Sequence, residues 1–274
     1  MRRVTSSIKG SLRNSVVRVG GWLKRAAGAR PGKRAIALHE ADDIVLFRDR
    51  LQWLKEHYEV LTVQEWLTKP VTSRTQILLS FDDGYASWAD SLAATLEDMR
   101  IPALFFVSSG VVGLQGAEAV AFAKRRLRRT RELRFISLGQ LRELAGHHRF
   151  QIGAHTVNHV DLGRLTESER VRREIEDDRE RLRQWTGRAV RWFAYPFGGP
   201  ENIAATAREQ VKQLDFDAAF SLVPGTWHPL TGDRFLIGRD GLELSYSPNL
   251  WAAWLAGGYD RLYHLKAKLV PSPG

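Results

Sequence analysis

The chain contains no cysteine. Disulfides, thiolate ligands and cysteine nucleophiles are excluded, so any metal site must be built from His, Asp and Glu. The same absence fits any cellular compartment. Long apolar runs are also missing: no stretch approaches the roughly 18 uninterrupted apolar residues needed to cross a bilayer. A secretory leader pattern is not visible. The apolar stretch at Val16-Val17 is broken by Arg18, Gly20 and Gly21, and Lys24-Arg25 stand where a cleavage region should be small and neutral. Zinc-finger, RNA-recognition and recognition-helix patterns are absent too, which ranks nucleic acid last among partners.

Basic charge is in excess. The formal net charge is +10, concentrated in the first 34 residues, in 124–134 and in 179–191. Such a balance suits acidic partners (anionic glycans or lipid headgroups) or marks solvated Arg-rich helix faces. Residues 1–33 place Ile8, Leu12, Val16, Val19 and Leu23 at helical spacing with Lys and Arg between them. That reads as a flexible tail or as a basic amphipathic segment able to lie on an anionic membrane surface. It leads us to expect a cytoplasmic protein of a bacterial cell, peripheral at the inner face of the membrane, with export as the alternative. A globular region is expected over 34–245, and an amphipathic tail with Trp251 and Trp254 over 246–274.

From residue 35 onward, short apolar runs alternate with helical patterns. Strand-like runs occur at 35–38, 77–81, 103–107, 150–154, 192–195, 218–221 and 235–237. Helices are expected near 47–58, 87–99, 117–129, from 137, 166–186 and 204–214. The last-but-one of these starts Thr166-Glu167-Ser168-Glu169, in the manner of a capped N-terminus. This alternation marks βα units around a parallel sheet or barrel.

Three of the runs end in polar chemistry: His39, Asp82-Asp83 and His155. Barrel enzymes gather their active sites at the carboxyl ends of different strands. The run Leu78-Leu79-Ser80-Phe81 stops at two adjacent carboxylates followed by Gly84, which allows a sharp turn. Adjacent carboxylates repel, and a cation relieves that repulsion. His155-Thr156-Val157-Asn158-His159 sets two imidazoles four residues apart. Two histidines and one carboxylate make a metal triad that leaves positions open for water and substrate. Phe193-Ala194-Tyr195-Pro196-Phe197-Gly198 supplies an aromatic rim of the kind on which sugars stack, with Tyr195 and Phe197 as candidate walls.

These motifs resemble those of the NodB-homology polysaccharide deacetylases, carbohydrate esterase family four. Phe81-Asp82-Asp83-Gly84 resembles the first family motif, His155–His159 the H-[ST]-x-x-H second motif, and Trp192–Gly198 the looser third. The likeness covers about residues 35–240. It implies a distorted (β/α) barrel of about seven parallel strands, and metal-dependent removal of N-acetyl groups from N-acetylhexosamine residues of a glycan. Carried over by position, Asp83, His155 and His159 hold a divalent metal, commonly Zn2+. Asp82 becomes the general base on the attacking water, and the Phe197 N–H a donor to the oxyanion. Two departures stand out. Ala194 occupies the position of an arginine that tunes the base, with Arg191 and Arg239 as candidates to replace it. The late catalytic histidine is also missing, and His39 resembles its counterpart in a permuted subset, which makes it the candidate acid. Other readings are a non-catalytic carbohydrate-binding barrel and an O-deacetylase.

Overall fold

A computed structural model describes residues 31–130 and 132–260, together with Ser15, Val17, Gly20 and Tyr263. The basic segment expected over 1–33, and the C-terminal tail beyond residue 260, therefore lie largely outside the described residues. Val17 is buried within the main apolar core.

The strands, in chain order, are β1 (Lys33–Leu38), β2 (Glu59–Val60), β3 (Gln76–Asp83), β4 (Ala103–Val107), β5 (Phe150–Ala154), β6 (Trp192–Ala194), β7 (Ala218–Phe220) and β8 (Asp240–Gly241). They form one parallel sheet in the order β7-β6-β5-β4-β3-β1-β8, curled into the distorted barrel that the motifs imply. β1, β3 and β4 are buried along their whole length. Both their faces are covered, which is why they read as continuous apolar runs. β3 is the axis of the sheet. β1 flanks it along one side, while β2 takes its first two residues on the other and β4 its last four.

The two sheet edges meet through one short segment. Ile237 bridges Phe220 of β7, and three residues later Asp240 pairs with Ile36 of β1. The apolar triplet 235–237, expected as the last strand, contributes only that single bridge. Phe235 and Leu236 are spent on a turn around Asp233, whose side chain and carbonyl accept their N–H groups at 2.8 and 3.2 Å.

The main helices are α1 (Ile44–His57), α2 (Val63–Thr68), α3 (Ala93–Asp98), α4 (Gly116–Arg125), α5 (Leu138–Gly146), α6 (Ser168–Thr186), α7 (Ala205–Gln213) and α8 (Pro248–Leu255). A π-helical turn, Trp88–Leu92, runs into α3. α6 begins after Glu167 with no side-chain cap, so the capped start expected around Thr166 does not form. α4 stops short of the expected Arg129, because Leu127 turns into the core and Arg128 adopts φ +56°. α8 buries Trp251 and Trp254, and Trp251 meets Trp53 of α1 edge-on at 6.4 Å.

Candidate active site

The carboxyl ends of β1, β3 and β5 converge on one cavity of about 310 Å³. His39, Asp82, Asp83, His155, His159 and Phe197 all line it. The backbone around it is held in an unusual state. Of the seven described non-glycine residues with positive φ, four (Asp83, Arg128, His159 and Phe197) line this cavity, and a fifth, Thr156, lies in the loop between the two histidines. Such conformations cost energy and persist where the surrounding structure over-determines them. Gly84, at φ +110°, lets β3 turn directly after the carboxylates, and a Cβ there would lie 2.8 Å from the Val111 side chain.

Asp82 and Asp83 are both buried, and they face different partners. Asp82 accepts two charged hydrogen bonds from Arg239, at 2.6 and 2.8 Å. Arg239 is itself fully buried, donates to Ser80 Oγ (3.0 Å) and Ser221 O (3.1 Å), and lies over the Phe106 ring. Burial alone would raise the Asp82 carboxyl, but the Arg239 charge, with His155, holds it below the usual carboxylate range. Arg191, the other candidate for this duty, points outward and pairs with Asp217 at 2.5 Å.

Asp83 accepts from the Tyr85 hydroxyl at 2.7 Å through Oδ2. Its Oδ1 faces His159 Nε2 at 3.2 Å and His155 Nε2 at 3.6 Å. Burial opposes ionisation here too, and His159 and His155 together outweigh it, holding Asp83 well below its ordinary value. His155 Nδ1 lies 2.7 Å from the Ala194 carbonyl. With Nδ1 as the donor, the Nε2 lone pair is left facing Asp83. Ala194, in the position of the family's arginine, thus serves this site through its backbone.

The arrangement fits a divalent cation. The three ligand atoms lie within 4.8 Å of one another, and they form the one such group found among the described residues. A tetrahedral ion with bonds of about 2.0–2.1 Å spaces its ligand atoms by roughly 3.3 Å, close to the 3.2 and 3.6 Å seen here. Asp83 Oδ1 is buried with no hydrogen-bond donor, as expected of an atom kept for a metal.

The loop carrying the histidines is fixed from α6. Asp178 accepts the N–H of His155 at 2.7 Å and of Ser109 at 2.6 Å. Glu174 accepts the Asn158 N–H at 3.0 Å. Burial pushes the Asp178 carboxyl up to about 6, against those hydrogen bonds. Asp178 was not among the sequence candidates, although it sits in the apolar stripe of Val171, Ile175 and Leu182. A carboxylate in such a stripe is the signal that could have found it.

Phe197 lines the cavity, with its ring edge-on to His159 at 4.7 Å. Its N–H has no acceptor among the described residues. Tyr195, expected as a second wall, does not reach the cavity. It is fully buried on the core side of β6, packs against Phe193 and donates its hydroxyl to Phe235 O at 3.1 Å.

Comparison with known proteins agrees with this fold. A polysaccharide deacetylase family model matches residues 69–219. No curated protein matches the chain in sequence. Among solved structures, IcaB from Ammonifex degensii is 22% identical, with a TM-score of 0.66 over 82% of this chain and 97% of that one. The Streptococcus pyogenes deacetylase PplD, solved with acetate, is 18% identical, with a TM-score of 0.66 over 82% of this chain and 99% of that one. The deacetylase domain of BpsB from Bordetella bronchiseptica is 18% identical, with a TM-score of 0.63 over 76% and 95%. At such identities the likeness is one of fold. The family match spans more than half of the chain, and the chain belongs to the polysaccharide deacetylase family. It is an enzyme of that hydrolase class.

Proposed function

We propose that the chain is a metal-dependent N-deacetylase acting on N-acetylhexosamine residues of a glycan. One observation carries the reading: adjacent buried carboxylates with divided surroundings, Asp82 clamped by Arg239 and Asp83 turned towards two imidazoles. Asp83, His155 and His159 would hold the ion, zinc by the chemistry of its donors. When bound there, such an ion lowers the pKa of water and polarises the acetyl carbonyl.

The chain's own groups do the rest. Asp82 stays ionised beside Arg239 and takes the proton of the attacking water. Arg239 fixes the carboxylate plane through its bidentate contact. The Phe197 N–H donates to the oxygen on which charge develops. His39 lines the cavity at the end of β1 and would protonate the leaving amine.

Acetate release from N-acetylated oligosaccharides with added zinc or cobalt tests this. Asp82→Asn should lower kcat by at least about 100-fold, the range of a lost general base, while glycan binding persists. Glycan binding at saturating metal with no acetate release from the unaltered protein would leave a non-catalytic binding barrel. Release from O-acetyl but not N-acetyl glycans would make it an O-deacetylase.

A further inference from the structure

Residues 124–134, from the last turn of α4 to just before α5, hold seven Lys or Arg side chains against one carboxylate. On an open helix face this would be a solvated charge run. Here the stretch is fastened beside the site. Leu127, Leu133 and Phe135 are buried. The Ala86 N–H donates to Arg134 O, and the Ile136 N–H to Gly84 O, both at 2.9 Å. With the apolar residues turned into the core, Arg128 and Arg129 line the mouth of the active-site cavity.

Neither guanidinium is neutralised by a close carboxylate. Arg128 lies over the Phe197 ring at 4.3 Å, and its side chain remains 60% exposed. Its nearest carboxylate, Asp161, is 3.7 Å away. Asp161 is already engaged by Asn202 at 2.9 Å and Arg164 at 3.3 Å. Among the described residues, no carboxylate pairs with Arg129. Two exposed guanidinium groups, one without a paired carboxylate and the other with only the distant, shared Asp161, therefore stand over a floor whose Asp82 is clamped by Arg239 and whose Asp83 is turned towards Tyr85, His155 and His159.

Resting on the deacetylase reading above, we propose that Arg128 and Arg129 form an anion subsite that selects glycans carrying a carboxylate or phosphate beside the acetylated residue. A guanidinium lying over a ring keeps its in-plane N–H donors for an oxyanion, and bidentate pairing to carboxylate or phosphate is its favoured geometry. A neutral glycan can accept hydrogen bonds from either arginine but offers no charge to pair with it. An anionic neighbour also balances the ammonium that deacetylation creates.

The test compares acetylated oligosaccharides matched in length: one neutral, one with a neighbouring uronate, one bearing a glycosyl phosphate. The two arginines could instead stabilise the charge that develops during reaction. That contribution is common to all three substrates and cancels in their kcat/KM ratio. The unaltered protein with saturating zinc should favour an anionic substrate by about tenfold, the scale of two partly exposed ion pairs. The preference should shrink in high salt and fall towards unity in R128Q/R129Q. Both side chains are exposed, so thermal unfolding of that variant should match the parent. The favoured arm names the source of the anion. Equal kcat/KM for neutral and anionic substrates, or a preference that survives in R128Q/R129Q, overturns the subsite. Calorimetric binding of the same glycans to Asp82→Asn keeps the two readings apart. Charge-selective binding abolished by R128Q/R129Q, without turnover of any substrate by the unaltered protein, would uphold the subsite and defeat the deacetylase reading.

Discussion

Asp82 and Asp83 are covalent neighbours whose surroundings differ in kind, and that difference is made by residues far away in sequence. Arg239 reaches Asp82 across 157 residues. The Asp-Asp-Gly and His-x-x-x-His spacings were legible because each motif is local. Arg239 was one of two arginines left open, since nothing in its local pattern distinguishes it from Arg191. Its role can be measured. Arg239→Gln removes the charge that offsets the burial of Asp82, so the Asp82 carboxyl should rise. The acid limb of the kcat/KM profile should move to higher pH, with a loss of about 100-fold at neutral pH. Arg239→Lys restores the charge without the fork and should recover the pH profile more fully than kcat. Metal removal makes a second residue-scale prediction. Asp83 Oδ1 has no donor without an ion, so chelation should lower the melting temperature and zinc should restore it. At a hundredfold excess over Kd the linkage is about 2.7 kcal/mol, or about 5–10 °C for a chain of this size. Asp83→Asn should abolish that response.

At the scale of elements, the alternation of strands and helices was legible because β1, β3, β4 and β5 are short apolar runs closed by turns. Ends and facing were less so. Nothing in Phe193-Ala194-Tyr195 says which side chain turns to the cavity, and Tyr195 turned to the core. α6 does more than cover the sheet. Its buried Asp178 accepts two N–H groups from two different loops, those of Ser109 and His155. Asp178→Asn supplies one acceptor oxygen and turns an NH2 towards the other donor. It should cost about 1–3 kcal/mol, the penalty for a buried unsatisfied group. It should also weaken zinc affinity, because the His155 backbone loses its anchor. Unfolding and zinc titration of the same variant check both. A stability loss with unchanged zinc affinity would reduce Asp178 to a structural residue.

At the scale of the whole molecule, the sheet is closed by the short segment from Ile237 to Gly241, and that closure was illegible because its pairing is almost entirely non-local. Two adjacent residues of the segment serve two sides of the barrel wall. Arg239 reaches the active site, while Asp240 accepts a bidentate contact from Arg34 at 2.7 and 2.8 Å. Arg34 also donates to Asp260, beyond α8, at 2.9 and 3.0 Å. Burial alone would lower the Arg34 pKa, but Asp240 and then Asp260 outweigh it and raise it. The seam therefore couples stability to chemistry. Asp240→Asn removes one of the two charges facing a buried guanidinium. It should cost about 3 kcal/mol, the low end for breaking a buried pair, because Asp260 still faces Arg34. The same variant should lose activity beyond what unfolding accounts for, because Arg239 is the next residue and its grip on Asp82 needs the seam in register. Asp260→Asn breaks the same network further from that register. At matched stability it should retain more activity than Asp240→Asn, and equal losses in the two would show that the seam contributes stability alone.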